Sequence, residues 1–415
     1  MTFTCQKGGV LGNFNGRGHV QWLLSPEAIR KQSRLLYDSV LKGDSEHFQL
    51  HPHVLNETAD FVADTIIERY PKLNVPYHSR WRHFTINGQD RSEQAFNHLS
   101  SDPLEKARSK VELAIISVFL DAGAGKEWSY EDFNTGLSLT RSEGLAAASL
   151  NLFTSGILST KPEKPLQTDN ISNFSPAKLA HAFQVSYSNP LQGLEGRASL
   201  ITKLGEIVEK KKNIFGRKTP RLGYLVDYLI RLSQNKAISA KTILYIVLTT
   251  LGDIWPERIK MNGVNLGDSW YHSKAGESKL VPFHKLSQWL TYSITEPLIE
   301  LGMRVTQINE LTGLAEYRNG GLFLDTGVLS LINEEAAIVP LNPSHSLVVE
   351  WRALTICLLD EIAKMVRKRL KKNEHSMPLT SILEGGTWYA GRKIAQQKRP
   401  GGTPPISIQS DGSVF

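Results

Sequence analysis

The chain has 415 residues, 40% hydrophobic and 21% charged, so it can bury a sizeable core and is not a disordered polyelectrolyte. Its net charge of +7, from 48 basic and 41 acidic residues, leaves room for a phosphate-bearing partner, but much of the excess sits in the runs 209–212, 367–372 and 393–399, which suit solvated helix ends. No apolar run reaches the roughly 18 residues of a membrane span, the first residues do not read as a secretory signal, and Cys5 and Cys357 alone cannot frame disulfides or a zinc cluster; a reducing, cytoplasmic setting with no membrane partner is expected.

Residues 1–20 are rich in Gly and Asn and read as a flexible tail. Ser25-Pro26-Glu27 opens the first clear helix: Ser at the N-cap, Pro at the first helical position and an acid beside it. Asp102-Pro103 and Ser175-Pro176 repeat that chemistry. Helical periodicity recurs at 57–70, 141–157, 193–211, 221–233, 239–251, 284–302 and 346–372. Short alternating stretches near 259–266 and 406–415 read as minor strands, and no alternation of strand and helix appears. The fold class expected is mainly α, a multi-helix protein with minor short strands. The polar stretch 159–173, with Pro162 and Pro165, is the best internal boundary and could divide two lobes.

Several motifs invite chemistry and do not support it. Ala122-Gly123-Ala124-Gly125-Lys126 lacks the earlier Gly and the following Ser or Thr of a phosphate loop, so it reads as a helix end. His51 and His53 have no partner at metal-ligand spacing, and Cys357 lies in an apolar helix. No metal and no cofactor are expected.

Two segments carry more. His78-Ser79-Arg80-Trp81-Arg82-His83-Phe84 combines guanidinium forks for phosphate or carboxylate oxygens, aromatic faces for a planar ligand, and imidazoles that move protons near neutral pH. Its structural reading is a strand with buried Trp81 and Phe84. The second segment is 311–327. Leu311-Thr312-Gly313-Leu314-Ala315 before a helix start resembles the hairpin of helix–hairpin–helix modules, where backbone amides hold phosphate. Asp325 sits downstream among Leu322, Phe323 and Leu324, where a carboxylate is either functional or paired, with Arg318 the nearest candidate.

Trp81-Arg82-His83-Phe84, Asp121–Gly125, Arg141-Ser142-Glu143-Gly144-Leu145-Ala146, Gly193–Arg197, Val281–Leu290, Glu316–Gly321, Val349–Thr355, Leu383–Trp388 and the closing Ser410–Phe415 together resemble the uracil-catabolism family of fungi and bacteria, long described as a domain of unknown function. The resemblance implies one family domain over 21–415 and a place in pyrimidine degradation through a ribosylurea-type intermediate. A local resemblance of Leu311–Arg318 to queuosine salvage nucleosidases, with Glu316 where that family has Asp, implies a helix–hairpin–helix glycosylase-like core and an N-glycosidic target.

The reaction so implied is N-ribosyl hydrolysis with release of urea. It needs a carboxylate near the anomeric carbon and a proton donor for the leaving group. Asp325 is the first candidate carboxylate, then Glu316 or Glu384, with His83 as the acid. Arg80, Arg82 and Arg318 would hold a phosphate or ribose hydroxyls, and Trp81, Trp388 and His284 would complete the binding wall. The partner expected is a small nucleoside-like or phosphoribosyl substrate, not nucleic acid, because no basic stripe flanks the hairpin; the alternatives are a nucleic-acid-binding helix–hairpin–helix protein and a non-enzymatic partner of the degradation route.

Overall fold

Ser25, Asp102 and Ser175 start the helices that the sequence assigns to them. Each side-chain oxygen accepts the backbone amide three residues on, from Ala28 at 3.2 Å, Glu105 at 3.1 Å and Lys178 at 3.3 Å, satisfying an amide that the helix itself leaves open. The computed structural model describes residues 17–409; Cys5 and the closing segment Ser410–Phe415 lie outside them. The helices that follow, among them Pro26–Leu41, Leu55–Arg69, Pro103–Phe119, Arg141–Thr154, Leu194–Lys210, Ala240–Leu251, Lys285–Glu300 and Ser346–Arg369, match the periodic stretches to within a few residues.

The protein is mainly α. Ser346–Arg369 packs against Pro26–Leu41 and Leu55–Arg69, and Lys285–Glu300 packs against Pro103–Phe119. Both central helices are buried nearly all round, which explains their loss of a clear polar stripe. The strands of the described residues pair only in twos. Phe48–Leu50 runs antiparallel to Leu329–Leu331, and Ala237–Ser239 runs parallel to Arg304–Thr306, so each ladder ties distant parts of the chain together.

Four expectations change. Residues 17–20 are not tail: they begin the helix Arg17–Leu23, and Val20 is buried. Leu166 and Ile171 sink into the same apolar cluster that holds residues from Val20 to Ile406, so 159–173 lies across the core and does not divide it. Strand Arg304–Thr306 and a 3-10 turn at Ile308–Glu310 separate residues 311–316 from the preceding α-helix, so the hairpin expected between two α-helices is not the geometry here. Of 406–415, the described part makes a single parallel bridge, Ile408 to Leu341.

In the helix Tyr317–Asp325, Gly320 serves packing. A Cβ at Gly320 would stand 2.8 Å from the Trp351 ring. Gly391, in the helix Trp388–Lys398, plays the same part: a Cβ there would meet the Arg318 carbonyl oxygen at 2.2 Å. These close contacts let the helix Tyr317–Asp325 lie against both Ser346–Arg369 and Trp388–Lys398, which sets the geometry of the site.

Candidate functional site

A cavity of about 340 Å³ opens where several chain ends converge. They are the starts of the helices Lys285–Glu300, Tyr317–Asp325 and Arg141–Thr154, the loop 121–126, the stretch from His78 to His83, Trp388, and the segment 402–408. A volume of this order suits a small polar ligand. A larger groove of about 630 Å³ lies between Pro26–Leu41 and Ser346–Arg369, but its charges are spent on one another, as in Arg30–Asp360 at 2.8 Å and Lys364–Glu361 at 3.1 Å.

At the aromatic end of the cavity, His78 lies between two indoles, with ring centroids 6.4 Å from Trp289 and 6.2 Å from Trp388. Its Nδ1 is 2.9 Å from Glu384 Oε2, deep in the protein. Burial alone would raise the Glu384 carboxyl, but its hydrogen bond to His78 and the nearby guanidinium of Arg69 hold it below the ordinary range. Glu384 reaches this spot from a π-helical turn, Leu383–Thr387, which packs against the 55–69 helix at Val62 and Ile66. Such turns recur at functional sites because they re-aim side chains. With Nδ1 engaged, Nε2 is the nitrogen that His78 offers to a ligand.

His83 lines the same end, edge-on to Trp289 at 5.6 Å and Trp388 at 6.0 Å. Burial, then the charge of Arg80, pushes it down to about 4, so it is neutral at physiological pH. On the facing wall Glu316 caps its helix, accepting from the amides of Arg318 at 2.8 Å and Asn319 at 2.6 Å. Burial raises the Glu316 carboxyl despite those amides and Lys285. Lys285 begins its helix beside it, its amide fixed by Asp268 at 3.0 Å. Burial lowers the Lys285 ammonium, although Glu316 opposes the shift.

The residues proposed from sequence thus divide. His83, Glu316, Arg318 and Trp388 line the cavity, and Glu384 stands behind it through His78. Asp325 does not reach it. It is held by Arg399, not Arg318, through two hydrogen bonds at 2.7 and 2.5 Å, and Arg399 also donates to the Thr403 carbonyl, so this pair anchors the 402–408 wall. Trp81 is core: its indole donates to the Ser293 carbonyl at 2.7 Å. Arg82 pairs with Glu296 at 2.6 Å. His284, at φ 48°, turns inward to the Leu23 carbonyl at 2.8 Å. Arg80 is fully buried behind the cavity, donating to Ser117 at 2.7 Å and paired with Asp121 at 2.8 Å.

His78, Trp289, Lys285, Asp121, Arg141 and Lys126 were not assigned from sequence. His78 was visible as the first residue of the aromatic–basic run. The others stand in segments that the sequence marks only as family motifs or, for Lys126, as a failed phosphate loop, because burial and partners from elsewhere in the chain set their roles.

The loop 121–126 owes its shape to Arg197, a fully buried guanidinium 74 to 77 residues away along the chain. It donates to the carbonyls of Leu120 at 3.1 Å, Ala122 at 2.6 Å and Gly123 at 3.0 Å, and also to Gln192. Burial pushes Arg197 down to about 10, still charged at neutral pH.

Polar satisfaction marks the same place. Trp289 Nε1, Arg318 Nε, His83 Nδ1, Asp121 Oδ1 and both terminal nitrogens of Arg80 are buried without an aligned hydrogen-bond partner in the protein. The Arg80–Asp121 contact is an ion pair whose N–H groups point off the line to oxygen. Buried polar groups are rarely left so; these six atoms lie at or just behind this cavity, while others, such as Ser33 Oγ and Asp132 Oδ1, lie elsewhere.

Comparison with known proteins agrees with the motif resemblance. A family described as "Protein of unknown function (DUF1688)" matches residues 22–415. The chain is 37% identical over 406 residues to "Protein urg3" of Schizosaccharomyces pombe, covering 95% of this chain and 98% of that protein. It is 36% identical over 437 residues to "Uracil catabolism protein 4" of Lachancea kluyveri, covering 95% and 99%.

Proposed function

The chain belongs to the DUF1688 family, whose relatives include a protein named for uracil catabolism, and from that premise we propose that it is an enzyme of uracil catabolism that hydrolyses the N-ribosyl bond of a ribosylurea and releases urea. The observation that carries the reading is the His78–Glu384 dyad between Trp289 and Trp388, opening on a cavity shared with Glu316.

In this reading the urea packs beside His78 against the indole wall of the cavity, whose aromatic faces suit a planar amide. The C1–N bond breaks with its electron pair on nitrogen, and the nitrogen takes the proton from His78 Nε2. Glu384 fixes the ring so that Nε2 faces the leaving group, the role a carboxylate plays behind a catalytic imidazole. Glu316 faces the positive charge that develops at C1, its oxygens held in place by the amides of Arg318 and Asn319. Water adds to C1 and leaves its proton on Glu316, from which it returns to His78. His83 takes no proton-donor role, because it is already neutral, and the acid assigned to it from sequence passes to His78.

The test is direct. Purified protein is incubated with ribosylurea and with its 5-phosphate, and urea is assayed. Release from at least one compound, lost in His78→Gln with an unchanged melting temperature, supports the reading; no urea from either overturns it.

A further inference from the structure

The cavity that the dyad opens on also holds more positive charge than the protein neutralises. Lys126, Arg141 and Arg318 all line it, and none has an ion-pair partner among the described residues. The acids nearby are already engaged: Asp121 faces Arg80, and Glu316 is capped by two amides. Arg318 is almost fully buried, donates from one terminal nitrogen to the Gly402 carbonyl at 2.7 Å, and leaves its Nε without a partner. A buried guanidinium group with an open donor next to two further cations needs an anion.

The loop beside them is arranged for one. Arg197 takes the carbonyls of Leu120, Ala122 and Gly123, and the Gln192 amide takes that of Ala124 at 3.1 Å. The carbonyl oxygens, which would repel an anion, are thereby drawn away. No backbone amide from Ala122 to Glu127 donates a hydrogen bond among the described residues. Gly125 has φ +89°, a conformation that side chains resist and that lets successive amides converge. Arg141 is itself held at φ 54°, a conformation uncommon outside glycine, at the first position of its helix.

We propose that the loop 122–126 with Lys126, Arg141 and Arg318 is a phosphate-monoester subsite, so that the substrate is the phosphorylated form of the ribosyl compound. This rests on the hydrolase reading only for the identity of the rest of the substrate; the anion site stands on its own observations. It also differs from a nucleotide phosphate loop, since it has no lysine aimed from a helix start and no hydroxyl for magnesium.

The experiment titrates full-length protein with ribose 5-phosphate and with ribose, read by the fluorescence of the cavity tryptophans and by calorimetry. Ribose 5-phosphate binds, ribose does not compete at equal concentration, and Arg141→Ala and Lys126→Ala each weaken ribose 5-phosphate by about tenfold or more. Both side chains are exposed, so these variants keep the fold. Equal affinity for the two sugars, or unchanged affinity in both variants, overturns the subsite. Succinate binding as tightly as ribose 5-phosphate overturns it as well, because the site would then take carboxylates. The urea assay separates the two ideas: unphosphorylated ribosylurea cleaved as fast as its phosphate sinks the subsite and leaves the hydrolase reading intact. Phosphate binding that depends on Arg141 and Lys126, with no urea from either compound, does the reverse.

Discussion

Two buried ion pairs near Lys285 are built differently. In Asp268–Arg352 both carboxylate oxygens meet both terminal nitrogens at 2.8 Å, Trp270 and the Lys285 amide add donors, and Arg352 Nε reaches the Ala315 carbonyl. In Arg80–Asp121 the groups are as close, but the guanidinium's terminal N–H bonds and one carboxylate oxygen find no aligned partner. Glu112–Arg221 and Asp325–Arg399 follow the first pattern. A saturated pair fixes chain segments: here the start of the 285–300 helix and the approach to Glu316. An unsaturated one keeps hydrogen-bonding capacity in hand beside a cavity. The difference teaches that the state of a buried charge's partners, more than the charge itself, separates scaffold from site.

The sharpest way to break that comparison is to remove a member of the working region. His78→Gln keeps the ring's volume roughly and removes proton transfer; turnover is expected to fall by about 10²–10⁴-fold with little change in stability, measured as urea release beside a thermal melt. Glu384→Gln should lose somewhat less, since it orients the proton donor. Equal loss of melting temperature and turnover would place the dyad with the scaffold.

The scaffold counterpart is Asp268→Asn. It leaves Arg352 buried without its carboxylate and should cost about 3–5 kcal/mol, read by denaturant unfolding. Burial alone would raise the Asp268 carboxyl, but Arg352 and its other donors hold it well below the usual range. That stabilisation is therefore present at neutral pH and lost as the protein is acidified through the folded value. An Asn variant as stable as the parent at pH 7 would undo the contrast drawn above.

Glu316→Gln tests a residue with a foot in both regions. The cap it provides is worth about 1 kcal/mol, and a neutral amide still accepts hydrogen bonds, so stability should fall slightly while turnover falls far more. Matching small losses in both would mean that Glu316 only caps.

The smallest effect concerns Glu350, buried in the 346–369 helix, which accepts from Ser45 and sits 3.7 Å from His272. Burial raises its carboxyl to about 7, opposed by the Ser45 hydrogen bond. The folded state therefore binds the proton more tightly than the unfolded chain, and stability declines as pH rises through that value. Glu350→Gln should melt a few degrees higher than the parent at pH 8 and alike at pH 4.5.

Much of the helical framework was legible because it rests on local chemistry: Ser25, Asp102 and Ser175 announce helix starts, and apolar spacing marks 239–251 or 284–302. The site was legible only where reacting groups cluster in sequence, as with His78 to His83 and Glu316 to Arg318. Asp325 misled because an acid among leucines signals a buried carboxylate, while its partner Arg399 lies 74 residues on. The loop at Gly123–Gly125 was set aside because it fails a nucleotide motif; what shapes it is Arg197, and nothing in the loop's own residues indicates that. The Trp388–Lys398 helix was missed because Gly385 and Gly386 precede it, and those glycines are there for the close approach of Val62, Ile66 and Val75.

The π turn at Leu383–Thr387 has a consequence for how this chain tolerates change in length. A π turn holds one residue more than an α turn, so removing one of its glycines would restore ordinary helical winding and need not unfold the segment. Because the extra residue is absorbed within that one turn, everything beyond it would keep nearly its present phase about the helix axis. Trp388 would stay beside His78 and Gly391 against Arg318, while the turn's own residues, Glu384 among them, would be re-aimed. The same deletion within the regular helix Trp388–Lys398 would instead rotate everything after it by about 100°, so the chain tolerates a change in length at the π turn better than beside it.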